Sequence, residues 1–519
     1  MFFLFLIIKE KKKKIAFYFS LSIIGICIIL ASWFVINGDI LFYSDIARDF
    51  LLMEDILYNK PIALIGPRSG AISGVFHGPL WFYLNLPAFI LGKGNPIIVG
   101  WFWVLLYIIN LIITYKIGKL LFDKHIGLIA TLIVALSTIS FPAGPSNPVG
   151  ALILSPIFFY SLINYLKYKK IKSLLISLFI LGLIIQFQIA FGGPILILTF
   201  ILILFNAIKH KKFYHLLAFL ILIIPLSTYI IFDLRHNLLQ THSLINFFSQ
   251  NIKNANKNFY TWEIIKQKIT HSVGSELNFI TDRNILLNFL IIIILFIGFY
   301  QVFKNKKDKN KEIYLSFLYL YFGYWLIVIF YKGIIWWHYY WPFLPLLSII
   351  IASFSKYINK KAFFIFMITL IAYSFYTKTQ LIIKTKNYFG QEKSSWLFYK
   401  NMAKKIYEDS PKNFGYFIFS DDNFGYPSWY AMNYMGKFYK NKKASIHEKK
   451  ETTYLIIDPS DNPGYSKEWW QKNMVKIDKN PEKVFKFNKS NFRVEKYELN
   501  ELDIKKEIDP NLIKTLIFR

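Results

Sequence analysis

The sequence predicts an α-helical membrane protein with many spans and a small α/β domain at its carboxyl end. Of the 519 residues, 55% are hydrophobic and 19% aromatic, and a soluble domain could not bury so much apolar surface. Long apolar runs recur through the first three quarters of the chain. The last quarter is polar, and short period-two runs alternate there with helix-like segments.

The apolar runs predict the transmembrane part, residues 1–385. A span needs roughly 20 apolar residues, and this rule predicts about eleven transmembrane helices. The first run, residues 15–36, exceeds the apolar core of a signal peptide and precedes no small-residue cleavage site, so we expect it to remain as an anchor. The single cysteine, Cys27, lies in this run. A disulfide framework or a thiolate metal site is therefore excluded.

Lysine-rich segments alternate along the chain with connections that carry few charges. This is the positive-inside pattern, although a general lysine bias would also contribute. It predicts a cytoplasmic amino terminus, outer loops at about 37–96 and 233–284, and an outer tail. The formal net charge of +30 thus reflects topology and does not indicate a nucleic-acid partner. Because the cytoplasmic turns are short, we expect the site of a multi-pass cell-membrane protein to lie on its extracytoplasmic side.

The first outer loop contains a predicted amphipathic helix from Ser44, with a serine at the N-cap and an acid in the first turn. Asp45 and Asp49 share one helix face, and Arg48 is adjacent to it. A carboxylate at this position could act as general base toward an acceptor hydroxyl or amine. The alternative is a helix-dipole acid with an ordinary ion pair to Arg48.

The tail, residues 386–519, predicts a small extracytoplasmic α/β domain. Period-two runs begin at Phe414, Thr453 and Lys483, and helix-like segments separate them. The segment SDDNFGYPSWY from Ser420 combines acids with aromatic residues, which suits carbohydrate, but a plain turn between a strand and a helix explains it as well.

Most of the other candidate residues lie in the outer loops. Arginine can bind phosphate with two hydrogen bonds and stays charged at a membrane surface, although an arginine there can also anchor lipid headgroups. Histidines amid aromatic residues also fit a membrane interface. Asp45, Asp49 and His77 could contribute to a metal site, but no tight ligand spacing is present, and a divalent metal stays possible. No P-loop or dinucleotide fingerprint occurs, which argues against a nucleotide-sugar donor. The candidates for donor-phosphate binding are Arg48, Arg68, Arg235 and His236, and those for substrate binding are His77, Asn147 and His338.

The segments GDILFYSDIARDF from Gly38, IGPRSG from Ile65 and GVFHGPLWFYL from Gly74 together resemble a known family. They are similar to the first outer loop of polyprenyl-phosphate-sugar-dependent glycosyltransferases of the GT-C class, which includes protein O-mannosyltransferases and aminoarabinose transferases. The resemblance implies that Asp45 is a catalytic acid. Many relatives have an Asp-Glu pair where this chain has Ile46 after Asp45, which leaves Asp49 or Asp39 as possible bearers of part of the role.

Two later segments extend the resemblance over about residues 15–380. GPSNPVGALIL from Gly144 has Asn147 where many relatives carry aspartate, and IIFDLRHNLLQTH from Ile230 brings Arg235 and His236 to the start of the second outer loop. The resemblance implies a GT-C-like catalytic domain at residues 1–385, with the α/β domain at 386–519.

The implied activity is inverting transfer of a hexose or pentose from a polyprenyl phosphate to an extracytoplasmic protein, lipid or glycan. A transporter or flippase for lipid-linked saccharides is an alternative, but it predicts charges within the spans and matched broken helices. A ligase for lipid-linked saccharides is the nearest enzymatic alternative. An anchor for the tail domain would not need so many spans.

Overall fold

The computed structural model describes residues 2–59, 62–69, 72–253, 262–305, 308–329, 331, 335–385, 387–420, 424–458, 466–487 and 491–513. The chain forms two compact units. The helical unit comprises Met1–Ser32, Ala63–Leu84 and Trp103–Gln380. The sheet unit comprises Trp33–Ile62, Asn85–Phe102 and Leu381–Arg519, so it contains the predicted acid-bearing helix as well as the tail. Residues 421–423, which belong to the segment SDDNFGYPSWY considered above, lie outside the described residues.

The described part of the chain is mostly helical. The first ten α-helices are α1 (Phe2–Ala31), α2 (Trp33–Ile36), α3 (Ser44–Tyr58), α4 (Leu80–Leu91), α5 (Pro96–Leu121), α6 (Lys124–Ser137), α7 (Pro148–Tyr168), α8 (Ile171–Phe187), α9 (Ile189–His210) and α10 (Ser227–Arg235). The others are α11 (Leu239–Lys253), α12 (Trp262–Ile280), α13 (Ile285–Lys304), α14 (Lys311–Ile329), α15 (Leu344–Ser353), α16 (Lys360–Thr385), α17 (Trp396–Asp409), α18 (Tyr426–Gly436), α19 (Lys467–Trp469) and α20 (Glu501–Lys505).

Six of these helices are long and apolar enough to cross a membrane, namely α5, α7, α9, α13, α14 and α16. A seventh candidate span is the 3₁₀ helix Phe213–Ile223 together with α10, which are bent by 67° at the break between them. Five shorter apolar helices are also present in the described residues. If the seven candidate spans and four of the five shorter helices all cross the membrane, the total is the predicted eleven. The number of spans therefore stays a prediction.

Close helix packing in the helical unit depends on small residues. Gly118 of α5 faces Gly127 of α6, where a Cβ added to Gly118 would lie 2.8 Å from the Gly127 Cα. In lipid, such contacts replace the hydrophobic effect as a source of helix association.

A five-stranded mixed sheet forms the centre of the sheet unit, with strand order β2-β1-β3-β5-β4. The strands are β1 (Asn413–Ser420), β2 (Lys443–Ile446), β3 (Thr452–Asp458), β4 (Lys483–Lys486) and β5 (Arg493–Glu498). β1 is parallel to β2 and β3, whereas β5 is antiparallel to β3 and β4. The three period-two runs of the sequence are β1, β3 and β4, which confirms the prediction of strands in the tail.

One face of this sheet is buried mainly by the segment that connects β3 to β4. Phe417, Phe419 and Leu455 point to this face and pack with Trp470 and Met474. On the other side, Tyr407 of α17 packs edge-on against Phe414, with ring centroids 5.3 Å apart. Alternation along each strand therefore supplies two apolar faces, as expected for a sheet covered on both sides.

Candidate active site

The acid-bearing helix α3 begins at Ser44, and Tyr43 is its N-cap residue. The sequence predicted Ser44 as the cap, so the helix begins one residue earlier than expected. Its predicted apolar face is buried, as shown by Ile46, Phe50 and Ile56. This burial fixes which side chains of α3 can reach the surface.

Arg48 brings the two aspartates of α3 together. Its Nη1 donates to Asp45 Oδ1 at 2.7 Å, and its Nη2 and Nε donate to Asp49 Oδ1 at 2.8 and 3.1 Å. The side chain of Asp45 is 65% exposed, whereas those of Arg48 and Asp49 are 14% and 10% exposed. Two carboxylates and one guanidinium together carry a net negative charge. Of the two carboxylates, that of Asp45 is the one exposed to solvent. The geometry therefore suits Asp45 as a base and Asp49 as the group that orients Arg48.

Helix α18 and the first residue of α17 hold α3 and the residues before it in place within the sheet unit. Glu54 of α3 forms an ion pair with Lys437, whose Nζ lies 2.8 Å from Oε1, and accepts a hydrogen bond from Asn433 Nδ2 at 3.1 Å. The ring of Phe50 packs against Tyr430 at 5.3 Å between centroids, and Phe42 packs against Trp396 at 4.9 Å. These contacts fix both the rotation and the position of α3, which a general base requires.

Asp39 has a different environment from the acids of α3. It is fully buried, and its carboxylate accepts hydrogen bonds from Ser395 Oγ, from Leu397 N at 3.1 Å and from Ile40 N at 2.9 Å. Burial raises the pKa of Asp39, and the hydrogen bonds oppose that shift. The residue thus links the chain before α3 to the start of α17, which is a structural role.

Two of the predicted binding residues lie on a short hairpin of the helical unit. Arg68 pairs with Phe76 in an antiparallel bridge, and its Nη2 donates to Ser73 Oγ at 2.6 Å. The backbone N–H of His77 donates to the Pro67 carbonyl at 2.9 Å. Arg68 is exposed and His77 half-buried. The hairpin therefore presents the guanidinium of Arg68 at the surface.

Residues at the end of α10 support this hairpin. The ring of Phe76 packs against Phe232 at 5.6 Å, and Phe232 in turn stacks with His236 at 4.2 Å. The Nδ1 of His236 lies 2.8 Å from the Phe232 carbonyl, while Arg235 is exposed. The structure thus brings Arg68 and His236 to one region through two phenylalanines.

Asn147 and His338 occupy other positions in the helical unit. Asn147 Nδ2 donates to the Phe187 carbonyl at 2.5 Å, where α8 ends. His338 lies in the 3₁₀ turn Trp337–Tyr339, and its ring is stacked with Trp336 at 6.2 Å. Asn147 therefore makes a structural contact, and His338 shares an aromatic cluster.

A cavity of about 590 Å³ in the helical unit was not predicted from the sequence. Asp282, Arg283 and Lys378 line it together with the rings of Phe279 and Trp337. These two rings are stacked with centroids 5.4 Å apart and planes at 26°. The cavity thus combines an aromatic wall with charged groups, the usual composition of a small-molecule site.

The charges of this cavity are unequal. Asp282 accepts from Lys378 Nζ at 2.5 Å and from Thr377 Oγ1 at 2.7 Å, so the two charges of that pair offset one another. Arg283 supplies the excess positive charge and is exposed. Asp282 and Arg283 have φ values of +49° and +66°, a region in which side chains cost energy and which often marks a functional turn.

Within the described residues, no three His, Cys, Asp or Glu side chains lie close enough together to hold a metal ion. Among the described residues, Asp45 and Asp49 therefore have no third His, Cys, Asp or Glu side chain beside them that would complete a metal site. His77, the third ligand considered from the sequence, belongs to the helical unit. The two carboxylates bind Arg48 instead.

The apolar helices and the five-stranded sheet define the chain as a multi-pass membrane protein with a folded mixed-sheet part. No protein-family model and no curated protein matches its sequence.

Among solved structures, the chain is similar to ArnT from Cupriavidus metallidurans bound to undecaprenyl phosphate. The TM-score is 0.57 at 8% identity, over 94% of this chain and 99% of that chain. The apo state of the same ArnT gives a TM-score of 0.56 at 9% identity, over 93% and 98%. The archaeal oligosaccharyltransferase AglB from Archaeoglobus fulgidus, in complex with an inhibitory peptide and a dolichol-phosphate, gives only 0.46 at 12% identity, over 85% and 69%. The ArnT similarity, over nearly the whole of both chains, shows a GT-C-like fold.

Proposed function

We propose that this protein is a membrane glycosyltransferase that moves a hexose or pentose from a polyprenyl phosphate to an acceptor on the extracytoplasmic side. The observation that carries the proposal is the exposed carboxylate of Asp45, held by the largely buried guanidinium of Arg48 on a helix with a fixed position. The GT-C-like fold supports the reaction class.

In the proposed reaction, Asp45 takes the proton of the acceptor hydroxyl or amine as that atom attacks the anomeric carbon. The new bond forms while the bond from the anomeric carbon to the phosphate oxygen breaks, and the polyprenyl phosphate leaves with both electrons. Positive groups that face the departing phosphate stabilise its charge in the transition state. Inversion at the anomeric carbon is the expectation for this single displacement.

We assign different roles to the predicted basic residues. Arg48 already binds two carboxylates, so we propose that it orients Asp45. Arg68, Arg235 and His236 remain proposed phosphate ligands. We add Arg283, because it supplies the excess positive charge of a cavity whose aromatic wall suits a sugar ring or an isoprenoid chain. His77, Asn147 and His338 stay as proposed substrate contacts, and the metal requirement stays open.

The test is transfer of radiolabelled sugar from a panel of polyprenyl-phosphate sugars by membranes that contain the full chain. Asp45→Asn should lower transfer by about 10²–10⁴-fold, the usual contribution of a general base. Asp55→Asn is a matched control, since Asp55 lies on the same helix and accepts from Asn59 at 2.8 Å. Equal transfer by Asp45→Asn and Asp55→Asn, at equal folded protein, would remove the assignment of Asp45.

A transporter or flippase for lipid-linked saccharides is the second candidate function. The 67° break between Phe213–Ile223 and α10 favours it, because broken helices are typical of transporters. Proteoliposomes with a fluorescent lipid-linked sugar distinguish the two, because a flippase moves the probe across the bilayer even when Asp45 is replaced by asparagine.

A further inference from the structure

The sheet unit contains a cavity of about 360 Å³ that borders the start of α3. Its volume lies in the roughly 300–1,000 Å³ range of small-molecule sites. Tyr43 and Ser44 line one part of it, and Ser420, Ser428 and the pair formed by Lys393 and Asp458 line others. Hydroxyl groups are therefore its most frequent polar feature.

The charges of this cavity differ from those of the cavity beside Arg283. Lys393 Nζ lies 2.8 Å from Asp458 Oδ1, so these two charges offset one another. Glu392 adds a further carboxylate to the lining. The resulting net negative charge repels a phosphate group, whereas an uncharged ligand with many hydroxyl groups can donate to the carboxylates and exchange hydrogen bonds with the serines.

Tyr43 connects the cavity to the proposed base. It lines the cavity, and its hydroxyl interacts electrostatically with Asp45, Asp49 and Arg48. Desolvation, followed by the two carboxylates, raises the pKa of Tyr43 above its ordinary value. The phenol therefore keeps its proton and can donate a hydrogen bond to a ligand in the cavity.

Gly425 shows that the wall of the cavity is closely packed. Its φ is +61°, and an added Cβ would lie 2.3 Å from Ile418 Cγ2. The turn before α18 can thus lie against β1 only because this residue has no side chain. The same turn leads to Ser428, which is 2% exposed, so the cavity is bordered by a fixed part of the fold.

We propose that this cavity binds an uncharged saccharide, which serves as the sugar acceptor. That the saccharide acts as the sugar acceptor rests on the proposed glycosyltransferase function, whereas its binding in the cavity does not depend on that function. It gives the tail a specific role: the sheet unit recognises the molecule that receives the sugar.

Binding can be measured separately from transfer by saturation-transfer NMR on the full chain in nanodiscs. The probes are mannotriose, cellotriose and chitotriose, with mannose 6-phosphate as a charged comparison. We expect at least one trisaccharide to bind the wild type and Asp45→Asn alike, and mannose 6-phosphate to bind at least tenfold more weakly.

Asp458→Asn should weaken trisaccharide binding at least tenfold. Asp478→Asn is the matched control, because Asp478 also pairs with a lysine of the sheet unit, Lys472, at 3.2 Å. Ser44→Phe, which places a ring in the cavity, gives a second test if Asp458→Asn fails to fold.

The proposal is overturned if no trisaccharide binds the wild type, if mannose 6-phosphate binds best, or if Asp458→Asn and Ser44→Phe both bind like the control. Saccharide binding without any transfer activity would refute the proposed function and leave the cavity assignment intact. Transfer activity without saccharide binding would refute the cavity assignment and leave the proposed function intact.

Discussion

Glu276 of α12 should make the stability of the protein depend on pH. Its side chain is buried, at 1% exposure. Neither carboxyl oxygen of Glu276 makes a hydrogen bond of acceptable geometry with another described residue, although the Tyr321 hydroxyl lies close to the carboxyl group. Burial raises the pKa of Glu276 to about 8, and the Tyr321 hydroxyl opposes the shift only in part. The group is therefore protonated at pH 7.

The sign of the effect follows from proton binding. Between its ordinary pKa and about 8, Glu276 holds its proton in the folded protein and releases it in the unfolded chain, so stability falls as pH rises through this window. With 1.36 kcal/mol per pKa unit, the loss between pH 5 and pH 7 is about 2.5 kcal/mol. Glu276→Gln keeps the shape of the neutral group and should lose this dependence.

The assay is chemical denaturation in detergent micelles, followed by tryptophan fluorescence at pH 5, 6 and 7. Glu276→Gln should gain stability over the wild type as pH rises. Glu312→Gln, at an exposed position in the first turn of α14, should follow the wild type. Parallel curves for the wild type and Glu276→Gln would show that Glu276 is ionised in the folded protein and would refute the reasoning.

Three further changes follow from the contacts described above. Asp39→Ala should lower the free energy of unfolding of the sheet unit by about 3 kcal/mol, because three donors lose their acceptor. Limited proteolysis would show this loss as weaker protection of the sheet unit, and an unchanged cleavage pattern would contradict it. Under the proposed function, Arg283→Ala should weaken binding of a polyprenyl-phosphate probe in nanodiscs about tenfold by native mass spectrometry, whereas Arg283→Lys should retain part of it. A double-mutant cycle with Glu54→Gln and Lys437→Met should give about 1 kcal/mol of coupling, and a value near zero would exclude the ion pair as a support of α3.

Local patterns made parts of this structure predictable. Asp45 and Asp49 lie about one helical turn apart with Arg48 beside their shared face, so spacing alone predicted that the three side chains are close, and the structure shows both ion pairs. The tail strands were predictable because side chains alternate along a strand with period two, a rule that needs no tertiary information.

Contacts between distant residues could not be predicted in this way. Lys378 pairs with Asp282 across 96 positions of sequence, and Ser395 donates to Asp39 across 356. Nothing in the segment around Lys378 distinguishes it from a lysine that anchors a span at a lipid headgroup. The cavity beside Arg283 was missed for the same reason, because its walls come from four separate stretches of the helical unit.

The placement of α3 changes the role that the tail must have. A tail that only covers the site would be dispensable for the position of Asp45. However, Glu54 is held by Lys437 and Asn433, and Phe50 packs against Tyr430, so residues more than 370 positions further along the chain fix the helix that bears the acid. Removal of the tail would leave α3 without these partners, and its buried apolar face would be exposed to water. The sheet unit is therefore part of the catalytic machinery in the proposed function, since it positions the base and contains the cavity assigned to the acceptor.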